Sequence, residues 1–147
     1  MPQRPGFDYA RDWFAKLQRE ASKLNALVTP DEFSNFCITA WSLCDWAEKD
    51  ATLSAGAHGE VAQVRESPWL QICRDIANGT KHYEITRYKP KTDASAASGY
   101  GIGRYGVGAY GVGESSITVE HSGTKYDALV VVDQVTNLWN AFFKNHG

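Results

Sequence analysis

The sequence predicts a mainly α fold: a four-helix bundle-like single domain over residues 1–147, with a small β-hairpin and a Gly/Tyr-rich insertion (98–116) before the last helix. Four stretches repeat apolar side chains at three- and four-residue spacing, the period of one helix face. One short stretch alternates apolar and polar residues around Ser122-Gly123, the period of a strand pair. Seven of the 13 glycines crowd into residues 99–113, a density that excludes a helix there, at about 1 kcal/mol per glycine relative to alanine. With 43% hydrophobic side chains and five Trp among 147 residues, the chain can bury one sizeable core.

From Asp8 to about Leu27 the apolar series is Ala10, Trp13, Phe14, Leu17, Ala21, Leu24 and Val28, with Arg11, Lys16, Arg19, Glu20 and Lys23 opposite it. This is an amphipathic helix. Thr29-Pro30-Asp31-Glu32 then offers a Thr cap, a Pro at the first helical position and a Glu at the third, so a second helix runs from 30 to about 50. Its stripe is Phe33, Phe36, Cys37, Ala40, Trp41, Cys44 and Ala47. Ile38 and Trp46 fall outside that arc, which predicts a helix that is central or that meets another subunit. Residues 51–66 mix two glycines with small residues and predict a loop with one short helical turn, in which His58 is structural or solvated.

Ser67 and Pro68 open the next helix as cap and first position. At about 100° per residue, Trp69, Ile72, Cys73, Ile76, Thr80 and Tyr83 share one face. Gln71, Arg74, Asp75, Asn78, Lys81 and His82 share the other, a polar stripe expected to face solvent or a partner. Beyond it, Arg87, Lys89 and Lys91 join Lys81 and Arg74 in a basic cluster interleaved with Tyr83 and Tyr88. Such a mixture can neutralise phosphates and stack a base, or simply solvate a helix end whose dipole favours cations. The formal net charge of −2 and a pI near 6.1 restrict any nucleic-acid contact to a local patch.

The repeats Tyr100-Gly-Ile-Gly-Arg, Tyr105-Gly-Val-Gly-Ala and Tyr110-Gly-Val-Gly-Glu lack the Lys-Ser/Thr of a phosphate loop. They suit either an aromatic contact surface or an arm that packs its tyrosines on its own fold. Ile117 to Asp127 forms the hairpin with His121 exposed at its tip, and Asp127 caps a last helix reaching about Asn145. Val130-Val131-Val132 leaves open a strand that continues as far as Asp133. Cys37, Cys44 and Cys73 have no metal-ligand spacing and lie on apolar faces, so they are expected as core thiols in a reducing compartment. No apolar run approaches the length of a membrane span, and the expectation is a cytoplasmic protein with no membrane partner.

Arg74 through His82, with the basic and aromatic tail that follows, resembles the third helix of the HEPN superfamily. That family consists of small helical bundles, many of them metal-independent RNases, in which an Arg, a polar residue and a His on one helix are brought together with the copy from a second protomer. Here seven residues separate Arg74 from His82, a longer gap than the family's usual one. The resemblance implies a homodimer that binds or cleaves RNA without metal or cofactor. His82 would be the general acid or base, Arg74 would stabilise phosphate charge and Asn78, or Asp75 in its stead, would orient them. Lys81, Tyr83, Arg87, Tyr88 and Lys89 would contact the RNA. The alternative is a non-catalytic helical interaction or regulatory module, such as a phage-encoded accessory protein, that binds a protein partner through Ile38, Trp46 and the tyrosine-rich arm.

Overall fold

In the computed structural model, which describes residues 4–97 and 116–146, the first apolar series forms α1 (Ala10–Ala26). The Asp12 carboxylate accepts the free backbone N–H groups of Asp8 and Tyr9 at its start. Helix α2 (Pro30–Lys49) begins as its cap signature predicts, with the Thr29 hydroxyl accepting the Glu32 N–H at 3.2 Å. It packs against α1 on one side and against all three later helices on others, and so is central. Glu20, expected on the polar face of α1, is only 7% exposed, because that flank meets α2. There Lys16 Nζ bonds both Glu20 and the buried Thr39 hydroxyl.

Residues 51–66 correct the loop expectation. Ala55–Glu66 is the full helix α3, capped by the Ser54 hydroxyl accepting the Ala57 N–H. Ala57, Val61 and Val64 are buried against α2, and this burial outweighs the helix cost of Gly56 and Gly59. Asp50 ties the region together by accepting the Ala10 N–H, the first donor of α1, along with the N–H and hydroxyl of Thr52. Burial pushes the Asp50 carboxyl up, but these hydrogen bonds and the nearby His58 outweigh it and hold the group below the usual carboxylate range. The His58 ring bonds the Asp50 carbonyl oxygen, a structural role as expected.

Helix α4 (Pro68–Lys81) leads into an arch over 82–91 and then strand β1 (Thr92–Ala97), which the sequence reading did not foresee. The predicted hairpin follows as β2 (Ser116–His121) and β3 (Thr124–Asp127), giving an antiparallel sheet in the order β1-β2-β3. Ser116, expected within the insertion, pairs with Ala97, and the Tyr-Gly repeats lie outside the described residues. Ser122 and Gly123 both take left-handed backbone, φ 50° and 86°, the conformation of a two-residue type I′ turn. Helix α5 (Ala128–His146) starts on the Asp127 cap, whose carboxylate accepts the Leu129 N–H at 2.8 Å, so Val130–Val132 are helical and the prolonged-strand alternative is excluded.

The five helices and the small sheet enclose one core cluster with Trp139, Phe36 and Phe142 among its largest buried side chains. Phe14 of α1 stacks on Phe143 of α5 at 4.9 Å, and Arg11 donates to the Phe143 carbonyl. All three cysteines are buried and unpaired; burial pushes the Cys44 thiol up to about 12, and Cys37 is raised well above its ordinary value by burial and by the neighbouring Cys73. No described helix is long and apolar enough to cross a membrane.

Candidate nucleic-acid interface

Two faces of α4 were expected, one apolar and one solvent-facing. The helix is instead enclosed around more than half of its circumference. Leu70, Ile72, Cys73 and Ala77 are buried, while Trp69 and Ile76 are half-buried and Thr80 is exposed. Tyr83, assigned to the core face, stands beyond the helix end and is fully exposed. On the polar side, Asp75 is only 3% exposed. The chain that follows α4 turns back across it, so Arg74, Asp75 and Asn78 of the polar stripe face the arch and β1, while Lys81 and His82 at its end stay exposed.

Asp75 is the hub of that return. Its Oδ1 accepts from Nε and Nη2 of Arg74 at 3.2 and 3.1 Å, and its Oδ2 accepts the Lys91 N–H at 3.1 Å and the Thr92 hydroxyl at 2.7 Å. A carboxylate with this many donors can be buried because each desolvated lone pair is replaced. Thr92 Oγ1 also lies 2.8 Å from His121 Nδ1. With the Thr92 proton directed to Asp75, His121 donates from Nδ1. Burial depresses the His121 imidazole below its ordinary value, Asp75 opposes that, and Lys91 and Arg74 add to it.

His121 corrects the expectation of an exposed tip residue. The inner positions of β2 are Ile117, Val119 and His121, all buried, so the alternation that identified the strand also turns the histidine inward. Thr92, opposite His121 in the register, escaped notice because β1 itself did.

Tyr88 is pinned in two ways: the Arg74 guanidinium lies 4.4 Å from its ring centroid, and Asn78 Nδ2 donates to its hydroxyl at 2.9 Å. The structure therefore brings Arg74, Asp75, Asn78 and Tyr88 together. His82 is separate from them. It is the C-cap of α4, with extended backbone (φ −121°, ψ 135°) and an exposed side chain.

From the end of α4 to its anchors at Tyr88 and at Lys91-Thr92, the chain leaves Lys81, His82, Tyr83, Arg87, Lys89 and Lys91 exposed, with Glu84 as the one acidic residue in that stretch. Beneath β1, an open groove of about 340 Å³ runs between Phe33, Ile76, Gly79 and Ile117, because the residues above it are as short as Ala94 and Ala96. Among the described residues no three or more His, Cys, Asp or Glu side chains converge as metal ligands would. No family model, curated protein or solved structure matches this chain.

Proposed function

We propose that the protein binds single-stranded RNA on the arch over residues 81–91. The observation that carries this reading is an exposed basic and aromatic segment that runs on from the end of α4 and is fastened at Tyr88 and Lys91 to Asn78 and Asp75, in a chain whose net charge is −2. Lys81, Arg87, Lys89 and Lys91 supply phosphate contacts, and Tyr83 offers an unobstructed ring for a base. Arg74, Asn78 and Tyr88 act here as positioning residues that hold the segment in shape. The HEPN-like alternative, RNA cleavage by two protomers, asks more of the site. Arg74 must leave Asp75 and Tyr88 to reach a phosphate, and His82 of the partner subunit must approach it.

Fluorescence anisotropy with a labelled single-stranded RNA, repeated over a salt series, tests the proposal. Wild-type binding should weaken steadily with salt, and Arg87→Ala with Lys89→Ala should cost roughly tenfold in affinity and flatten the salt slope by about two phosphate contacts. Tyr83→Ala should cost about 1–3 kcal/mol in binding and leave the melting temperature unchanged, since the ring touches little of the fold. RNA that fails to bind at low salt, or variants that bind like the wild type, would overturn the reading. Cleavage in EDTA that is lost in His82→Ala, together with a dimeric mass by light scattering, would favour the nuclease instead.

A further inference from the structure

The groove at β1 is lined by Thr92, Asp93, Ala94, Ser95 and Ala96 without a break. Successive side chains of a strand point to opposite faces, so an opening that touches every residue of a run reaches the strand's backbone edge as well as its underside. That edge is free. In the sheet order β1-β2-β3 the first strand has β2 as its one neighbour. The Ser122 N–H bonds the carbonyl of Lys91, its partner in the extended register, so the residues in phase with Lys91, which are Asp93 and Ser95, turn their backbone groups toward β2. Thr92, Ala94 and Ala96 turn theirs away from it, and among the described residues none of those N–H or carbonyl groups has a hydrogen-bond partner. A row of donors and acceptors at two-residue spacing is the template on which an added strand forms. Edge strands are ordinarily protected by lysine, proline or a covering element, and the stretch from Thr92 to Ala97 contains neither lysine nor proline.

Shape and charge say what fits there. Pro30 and Phe33 of α2 and Ile76 and Gly79 of α4 wall the groove, whose volume of about 340 Å³ suits one extended chain with an apolar side chain or two. A second sheet edge, backed by helices of its own, is too bulky for it. Side chains on the inner face of an added strand would meet Phe33, Ile76 and Ile117. On the outer face the register sets Asp93 directly opposite Glu120, and Glu120 opposite Lys125. Two carboxylates side by side repel, and a cation lies beside the second of them alone. A lysine or arginine on the incoming strand, opposite Asp93, would flank the pair with a positive charge on each side.

We propose that the free edge of β1 receives an extended segment of a partner protein as a fourth strand, with apolar residues turned toward Phe33, Ile76 and Ile117 and a basic residue turned toward Asp93. Main-chain bonds to Thr92, Ala94 and Ala96 supply affinity, and the alternation of apolar and basic side chains supplies selectivity. The site is separate from the RNA reading of the arch and does not depend on it.

The experiment titrates the full chain into fluorescently labelled Val-Lys-Val-Lys-Val, blocked at both ends, and follows anisotropy. A peptide of the same composition in the order Val-Val-Lys-Lys-Val breaks the alternation and should bind more weakly. A Cβ placed at Gly79 meets nothing within 4 Å and leucine is the better helix former, so Gly79→Leu should keep the melting temperature while its side chain fills the groove and lowers affinity roughly tenfold. Asp93→Lys, at an exposed position, should bind the lysine peptide roughly threefold more weakly and prefer Val-Glu-Val-Glu-Val. Hydrogen exchange at the Ala94 and Ala96 amides should slow when the lysine peptide is present. Equal binding of the alternating and rearranged peptides, or Gly79→Leu protein that binds like the wild type, would overturn the proposal. So would a dimeric mass by light scattering that Gly79→Leu converts to a monomer, which would give the edge to a second copy of the chain.

Discussion

Asp75 and His121 form the buried polar contact between α4 and the sheet through Thr92, and the histidine responds to pH in a direction that follows from its surroundings. Burial holds the folded-state pKa of His121 below its unfolded value near 6.5. The unfolded chain then binds the extra proton first. Stability from this group is complete above about pH 6.5 and is lost as the pH falls toward the depressed folded value, by at most about 1.4 kcal/mol per pH unit. Urea unfolding at pH 7.5 and 5.5 should show the wild type losing more stability than His121→Gln, whose amide can still bond Thr92 without titrating. Equal losses would mean that His121 protonates in place. Removing the hub is harsher: Asp75→Ala strands Arg74, the Lys91 N–H and the Thr92 hydroxyl at once, and should cost about 3 kcal/mol in the same measurement.

At the scale of elements, the helices with one strong apolar stripe were legible, and those settled by tertiary contacts were not. The Thr29-Pro30 signature gave the start of α2 to the residue, and Asp127 gave that of α5. Helix α3 was hidden because Gly56 and Gly59 argue against a helix locally, and only its burial against α2 reverses that. Strand β1, Thr-Asp-Ala-Ser-Ala-Ala, has no aromatic and only one β-branched residue, and exists as a strand because β2 pairs with it. The site was half legible for the same reason. Its residues were visible on α4, but the arch that buries Asp75 and pins Tyr88 is a nonlocal return of the chain. The hairpin turn allows a direct check. Ser122 sits at φ 50°, where Asn is better tolerated, so Ser122→Asn should raise the melting temperature by about 2–4 °C, and calorimetry reads it.

For the whole molecule, the contact that closes the fold is the one between its first and last helices. Arg11 and Phe143 meet across 132 residues, whereas Lys16 of α1 and Thr39 of α2 meet across 23. Joining the more distant pair costs about 1.5 kcal/mol more in chain entropy when the rest is unstructured. The expected order of folding follows: α1 and α2 should associate early, and α5 should seat late, after the barrier is crossed. Phe143→Leu, which weakens the stack on Phe14, should speed unfolding severalfold and leave the folding rate nearly unchanged, while Ala40→Gly in the middle of α2 should slow folding. Stopped-flow chevrons for the two variants separate the limbs. On that order the seam between α1 and α5 should be the last to form and the first to part, and the lifetime of the folded protein should depend on how long Phe14 and Phe143 hold together.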